Sequence, residues 1–173
     1  MLTAPLIIDA SIAVAITRRE PAGTAASDAL EGWTRDRRRL IVPGHFWLEV
    51  ANAFGARRLP GSEVLQAIHE LDGFGLETIE SDRARLILTI DLMERHGLTA
   101  YDAEYLALAI TWDGWVVTFD AALRAAAADR FVHIGQPRLS ETPAAYERAV
   151  TWPNYKGASA FLAKLRAEAA TPR

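Results

Sequence analysis

The sequence predicts an α/β protein, a three-layer α/β/α sandwich around a mostly parallel central sheet. Three observations carry that expectation. Short continuous apolar runs alternate with segments of helical periodicity, the order that builds parallel sheets through helical crossovers. Two of the runs, Leu6-Ile7-Ile8 and Val116-Val117-Thr118-Phe119, lead straight into an aspartate, Asp9 and Asp120. Ligands of open α/β sheets collect beyond such strand ends. With 173 residues, half of them hydrophobic and 24% charged, the chain is also long enough for one full core and too apolar for wholesale disorder.

In chain order, Leu6-Ile7-Ile8 reads as a strand buried on both faces, and Gly23 to Trp33 as a helix. Ile41-Val42 is a second strand, stopped at Pro43. The spacing of Phe46, Val50, Ala53 and Phe54 is helical, and Leu59-Pro60-Gly61 interrupts it. Ser62 is a natural N-cap for a helix running to about Leu71. Leu76 to Ile79 resembles a short strand. Ser81-Asp82 opens an amphipathic helix that His96-Gly97 should end. Thr99 begins the next helix, Ala100 to Trp112, rich in alanine and leucine and expected to be buried. Gly114 leads into a strand from Trp115 to Phe119, followed by a helix from Ala121 to Ala128 and a last strand from Phe131 to Ile134. Beyond Gly135 the composition turns polar and proline-interrupted. Residues 136–173 are therefore expected to be a C-terminal helical extension of a domain spanning 1–135, with Phe161, Leu162 and Leu165 on one helical face that packs on its own domain or on a partner.

Composition removes several classes of chemistry. There is no cysteine, so disulfides, thiolate metal sites and cysteine nucleophiles are excluded. The four histidines, His45, His69, His96 and His133, show no helical spacing suited to an imidazole metal clip. No run approaches the roughly 20 apolar residues of a membrane helix, and no export signal opens the chain. A cytoplasmic protein is expected. The formal charge of −3 runs against a nucleic-acid partner until its distribution is considered. Setting aside Asp9, Glu49, Asp102 and Asp120 leaves +1, and the positive charge is nearly all arginine. Arg35, Arg37, Arg38 and Arg39 form one run, Arg18-Arg19 and Arg57-Arg58 form pairs, and guanidinium suits bidentate phosphate contacts. A solvated surface explains the same residues equally well.

Each of those four carboxylates stands at an abrupt apolar-to-polar junction. Singly, each has a structural explanation: Asp9 and Asp120 as N-caps, and Asp102 as part of a capping box with Thr99. Glu49 is harder to explain, because it shares a helical face with Phe46, Val50 and Ala53, where a charge is rarely buried without a partner. Together, four carboxylates from separate segments would repel one another unless a divalent cation neutralised them. Magnesium and manganese prefer carboxylate and water oxygens, and such ions activate water for in-line displacement at phosphorus.

Asp9-Ala10-Ser11, Leu48-Glu49-Val50-Ala51-Asn52, Thr99-Ala100-Tyr101-Asp102-Ala103 with Tyr105-Leu106-Ala107-Leu108-Ala109, and Val117-Thr118-Phe119-Asp120 resemble, in order and spacing, the PIN-domain ribonucleases of the VapC toxin type. The resemblance covers roughly residues 5 to 135. It implies a PIN-like fold and a toxin of a toxin–antitoxin pair that hydrolyses RNA with magnesium or manganese. Asp9, Glu49, Asp102 and Asp120 would be both the metal ligands and the catalytic set. Ser11 and Thr118 match positions where the family often has a hydroxyl close to the metal, and Asn52 is given an orienting role. The resemblance also implies an antitoxin partner and a homodimer. Arg35, Arg37, Arg38 and Arg39 are the expected RNA contacts. Glu104 is expected at the surface, since a two-residue offset turns it away from Asp102, and His45 is expected to pack or to contact the helix start. The competing reading is a non-catalytic PIN-like module that binds RNA or protein. An aspartyl phosphohydrolase or a phosphorelay receiver fits less well. The first wants a second aspartate where Ser11 stands and the second a lysine at a late strand end, whereas the only lysines are Lys156 and Lys164.

Overall fold

The computed structural model describes residues 4–55 and 59–134. The Arg57-Arg58 pair and the expected extension, including Phe161, Leu162 and Leu165, lie outside the described residues. Four parallel strands, β1 (Leu6–Ile8), β2 (Leu40–Pro43), β3 (Glu77–Ile79) and β4 (Trp115–Val117), form one sheet in the order β3-β2-β1-β4. Leu6, Ile7 and Ile8 pair with Trp115, Val116 and Val117 on one side, and Leu6 and Ile7 with Leu40 and Ile41 on the other. Residues of β1 and β2 are fully buried, as strands covered on both faces must be. Edge strand β3 is exposed along Glu77 and Thr78.

Helices α1 (Ala10–Thr17), α2 (Pro21–Arg35), α3 (Phe46–Gly55) and α4 (Gly61–Asp72) pack among themselves, and α5 (Arg83–His96), α6 (Ala100–Thr111) and α7 (Ala121–Ala127) form a second group in which α6 lies across β1, β2 and β4. The expected α/β/α architecture is the observed one. Gly23 sets the approach of α2 to α1, since a Cβ there would overlap the backbone carbonyl of Ala15.

Local signals account for both ends of α5 and the start of α6. Asp82 caps α5 by accepting from the Arg85 N–H at 2.8 Å, and Gly97, at φ 65°, ends it in a left-handed C-cap. Thr99 caps α6 by accepting from the Asp102 N–H. Several boundaries differ from expectation. Helix α4 starts at Gly61 with Pro60 as N-cap, so Ser62 sits inside the helix. Strand β4 ends at Val117 rather than Phe119, because the Phe119 and Asp120 N–H groups donate to side-chain hydroxyls instead of a ladder. The final strand expected at Phe131 to Ile134 is reduced to one parallel bridge, Val116 to Phe131, since so short a β4 offers no further partner.

Glu104 is the clearest departure. It is 5% exposed rather than a surface residue, and it accepts from Arg85 Nε at 2.7 Å and from Thr89 Oγ1 at 2.5 Å. Arg85, itself 3% exposed, also donates to the Ile79 carbonyl at 3.2 Å. This network joins α5 to α6 and to the end of β3. Glu104→Ala would strand the Arg85 charge in the interior and should cost about 3–5 kcal/mol in urea denaturation, whereas replacing both partners by packed apolar residues should recover most of the loss.

Candidate active site

The connection order makes β1 the switch of the sheet: successive strands run outward to β2 and β3 on one side, while β4 lies on the other. A crevice opens beyond the carboxyl ends of strands at such a point. Asp9 directly follows β1, and Thr118 directly follows β4.

Asp9 occupies the N-cap position of α1, yet its side chain makes no capping hydrogen bond. The simple capping explanation therefore fails for this residue. Its carboxylate, 5% exposed, receives two hydroxyl protons on Oδ2, one from Ser11 and one from Thr118 at 2.6 Å. Each hydroxyl is in turn oriented by a backbone donor. The Phe119 N–H donates to Ser11 Oγ at 2.9 Å, and the Asp120 N–H to Thr118 Oγ1 at 2.8 Å. A hydroxyl carries one proton, and both are directed at Asp9, so the 3.4 Å approach of Ser11 to Thr118 is a packing distance. The turn after β4 thus polarises two hydroxyls toward one carboxylate oxygen.

Glu49, half-buried on α3, accepts from the Tyr105 hydroxyl at 2.6 Å. Tyr105 is fully buried on α6. The Glu49 charge acts on Asp9, and both carboxylates act on Tyr105. His45 Nε2 lies 3.3 Å from the same Glu49 oxygen, at an angle that makes no hydrogen bond, and its ring contacts Tyr105 edge-on and Tyr101 at a tilt. The His45 carbonyl accepts the Leu48 and Glu49 N–H groups, so it also serves the helix start.

The remaining members are placed less centrally. Asp120 caps α7, accepting from the Leu123 N–H at 2.7 Å, and reaches Asp9 only through Thr118. Asp102 accepts from Thr99 Oγ1 at 2.6 Å, one helical turn before Tyr105. Among the described residues, no three histidine or carboxylate side chains converge as a ready-made metal ligand set. Asn52 is exposed and stands outside the network. The arginine run is at the other edge of the sheet, ahead of β2: Arg38 donates to the Ala4 carbonyl at 3.0 Å, while Arg39 pairs with Glu77 and lies over Trp112. Sequence reasoning misses Tyr105 as a site residue. Its one signal is a phenol among alanines and leucines, because a buried tyrosine hydroxyl needs a partner.

The family model for the PIN domain matches residues 6–129. The chain belongs to the PIN domain family. Among solved structures this PIN domain resembles PAE2754 from Pyrobaculum aerophilum, with 20% identity, a TM-score of 0.56, and coverage of 74% of this chain and 83% of that one. A toxin–antitoxin complex from Klebsiella pneumoniae is similar at 19% identity and a TM-score of 0.58, covering 74% and 96%. VapBC2 from Rickettsia felis, bound to a DNA fragment from its promoter, is similar at 18% identity and a TM-score of 0.53, covering 69% and 91%. No curated protein matches. No helix among the described residues is long and apolar enough to cross a membrane.

The electrostatics of the PIN domain site follow from burial. Asp9 is raised above the ordinary aspartate value of 3.8, chiefly by desolvation, with the Ser11 and Thr118 hydroxyls opposing and Glu49 adding to the shift. Tyr105 is pushed far above its usual range by desolvation and by the charges of Asp9 and Glu49, so it acts as a hydrogen-bond donor. The oxygen donors suit a hard divalent cation, and magnesium needs only one or two carboxylates besides water. A cation would also relieve the repulsion between Asp9 and Glu49. Without one, Asp9 contributes stability that is full below the ordinary aspartate range and is lost as pH rises through its raised folded value. Asp9→Asn should therefore gain on the parent protein as pH rises from about 4 to 8 in chelator, read as the difference in urea midpoints.

Proposed function

We propose that this PIN domain is a metal-dependent endoribonuclease and the toxin of a toxin–antitoxin pair, acting in the cytoplasm on RNA. The observation that carries the reading is the buried Asp9 carboxylate, coupled to Glu49 and linked to Asp120 at the switch point of the sheet. Asp9 and Glu49 would hold the cation, with Asp102 and Asp120 on the same rim. Bound there, magnesium or manganese supplies an activated water and neutralises charge on the phosphate.

The protein's own groups do the remaining work. Ser11 and Thr118 aim Asp9 and partly offset its desolvation by donating to Oδ2. Tyr105 fixes the Glu49 oxygen from a fully buried position, so the carboxylate is placed before substrate arrives. Asp102 stays on the first turn of α6 through Thr99. Hydrolysis by water leaves a 5′-phosphate and a 3′-hydroxyl. The likeness to the Klebsiella toxin–antitoxin complex and to Rickettsia VapBC2 supports an antitoxin as the protein partner, and a homodimer belongs to the same reading. The arginine run, at the opposite sheet edge, would serve only an RNA long enough to wrap around the domain.

A non-catalytic binding module is the second reading, favoured by the lack of three converging ligands among the described residues. One experiment separates the two. Purified protein is incubated with total cellular RNA in magnesium, in manganese and in chelator, beside an Asp9→Asn, Asp102→Asn double variant. Discrete metal-dependent fragments, lost in the variant, establish the nuclease. Equal inertness of both proteins favours the binding module. Tyr105→Phe should fold normally and lower metal affinity or activity about 10- to 100-fold, measured by calorimetric titration with manganese and by initial rates. Unaltered affinity and rate would remove Tyr105 from the site.

A further inference from the structure

Tyr101 is a large aromatic residue left 59% exposed on the first turn of α6, directly before Asp102. Its ring is propped against His45, with centroids 5.3 Å apart and planes tilted by 47°. His45 is itself wedged edge-on against Tyr105 at 5.1 Å, and its Nε2 lies 3.3 Å from Glu49. Three rings thus run outward from the carboxylate site to the surface, in edge-on and tilted contact. The inner one holds Glu49, the middle one backs the outer one, and the outer one is largely open to solvent.

A single exposed aromatic residue is ordinary and calls for no explanation. This one differs in being braced by a second ring and flanked by carboxylates, Asp102 in sequence and Glu49 behind His45. An aliphatic protein surface laid on Tyr101 would have to desolvate those charges. A nucleobase would cover the ring alone with its flat face, and its phosphate would meet the carboxylates only through the cation of the proposed function. Sequence-tolerant stacking on aromatic side chains is a general means of holding single-stranded RNA.

We propose that His45 and Tyr101 form a stacking platform for an unpaired nucleobase next to the scissile phosphate. The proposal rests on the ribonuclease reading and names a subsite of it: the substrate is single-stranded at that position, and Tyr101 contributes affinity rather than chemistry. Aromatic stacking acts in the ground state as well as the transition state, so its loss appears in KM more than in kcat.

The test uses full-length protein and a fluorescein-labelled single-stranded RNA that the wild type cleaves. KM and kcat are measured with magnesium, and Kd by fluorescence anisotropy in an Asp9→Asn background. Tyr101→Ala should raise both KM and Kd about tenfold with little change in kcat, and Tyr101→Phe should restore most of the affinity. Leu65→Ala, which alters an exposed residue on α4, serves as the surface control and should change neither constant. If wild-type protein cleaves the RNA but Tyr101→Ala keeps its KM and Kd, the platform is wrong and the ribonuclease reading stands. The platform is equally wrong if Tyr101→Ala loses affinity only for a protein partner. If wild-type protein neither cleaves nor binds any RNA, the ribonuclease reading falls and the platform with it.

Discussion

A carboxyl group held out of water at the end of β1 is the constraint around which this domain is arranged. Asp9 is nearly buried, and a desolvated carboxylate is tolerated only with donors in place. Those donors come from two distant parts of the chain, Ser11 on α1 and Thr118 after β4, so the clamp exists only when β1 and β4 are paired in register. The same two hydroxyls take the N–H groups of Phe119 and Asp120, which ends β4 and starts α7. One polar knot thereby sets the length of a strand, the start of a helix and the electrostatics of the rim.

Helix α6 is the second organising element. It carries Tyr105 toward Glu49 and Glu104 toward α5. A buried ion pair of this kind adds little net stability against an apolar alternative, but leaving one partner alone is costly, so it disfavours any other seating of the helix. Arg85, Thr89 and Glu104 therefore act on the site at one remove, by fixing the helix that brings Tyr105 to Glu49. Helix α6 meets both charge systems, the internal and compensated one through Glu104 and the partly repulsive one at the rim through Tyr105.

The separation of the arginine run from the carboxylates changes the meaning of the chain's net charge. The acidic rim stands at the carboxyl edge of the sheet, whereas Arg38 and Arg39 are tied down at the amino edge by Ala4, Glu77 and Trp112. Attraction for a polyanion at the rim cannot come from that run at short range, since screening limits exposed charges to about 10 Å in ordinary salt. Under the proposed ribonuclease reading, a cation in the acidic site and the ring surface of Tyr101 would be the local means of holding RNA.

The sequence alone determined what depends on neighbours a few residues apart. Apolar runs marked β1 and β2, Gly97 and Thr99 marked the break between α5 and α6, and the apolar-to-acidic junctions marked Asp9 and Glu49 as unusual. Tertiary structure decided whatever depended on partners far along the chain. Glu104 reads as a surface residue in the sequence because spacing within one helix says nothing about Arg85 on another. Tyr105 carries no visible role there because its acceptor is 56 residues away. The place of Arg38 and Arg39 at the amino edge was equally hidden, because sequence does not say which edge of a sheet a loop occupies. Spacing along a chain reports the face of an element, and only the packed fold reports what that face meets.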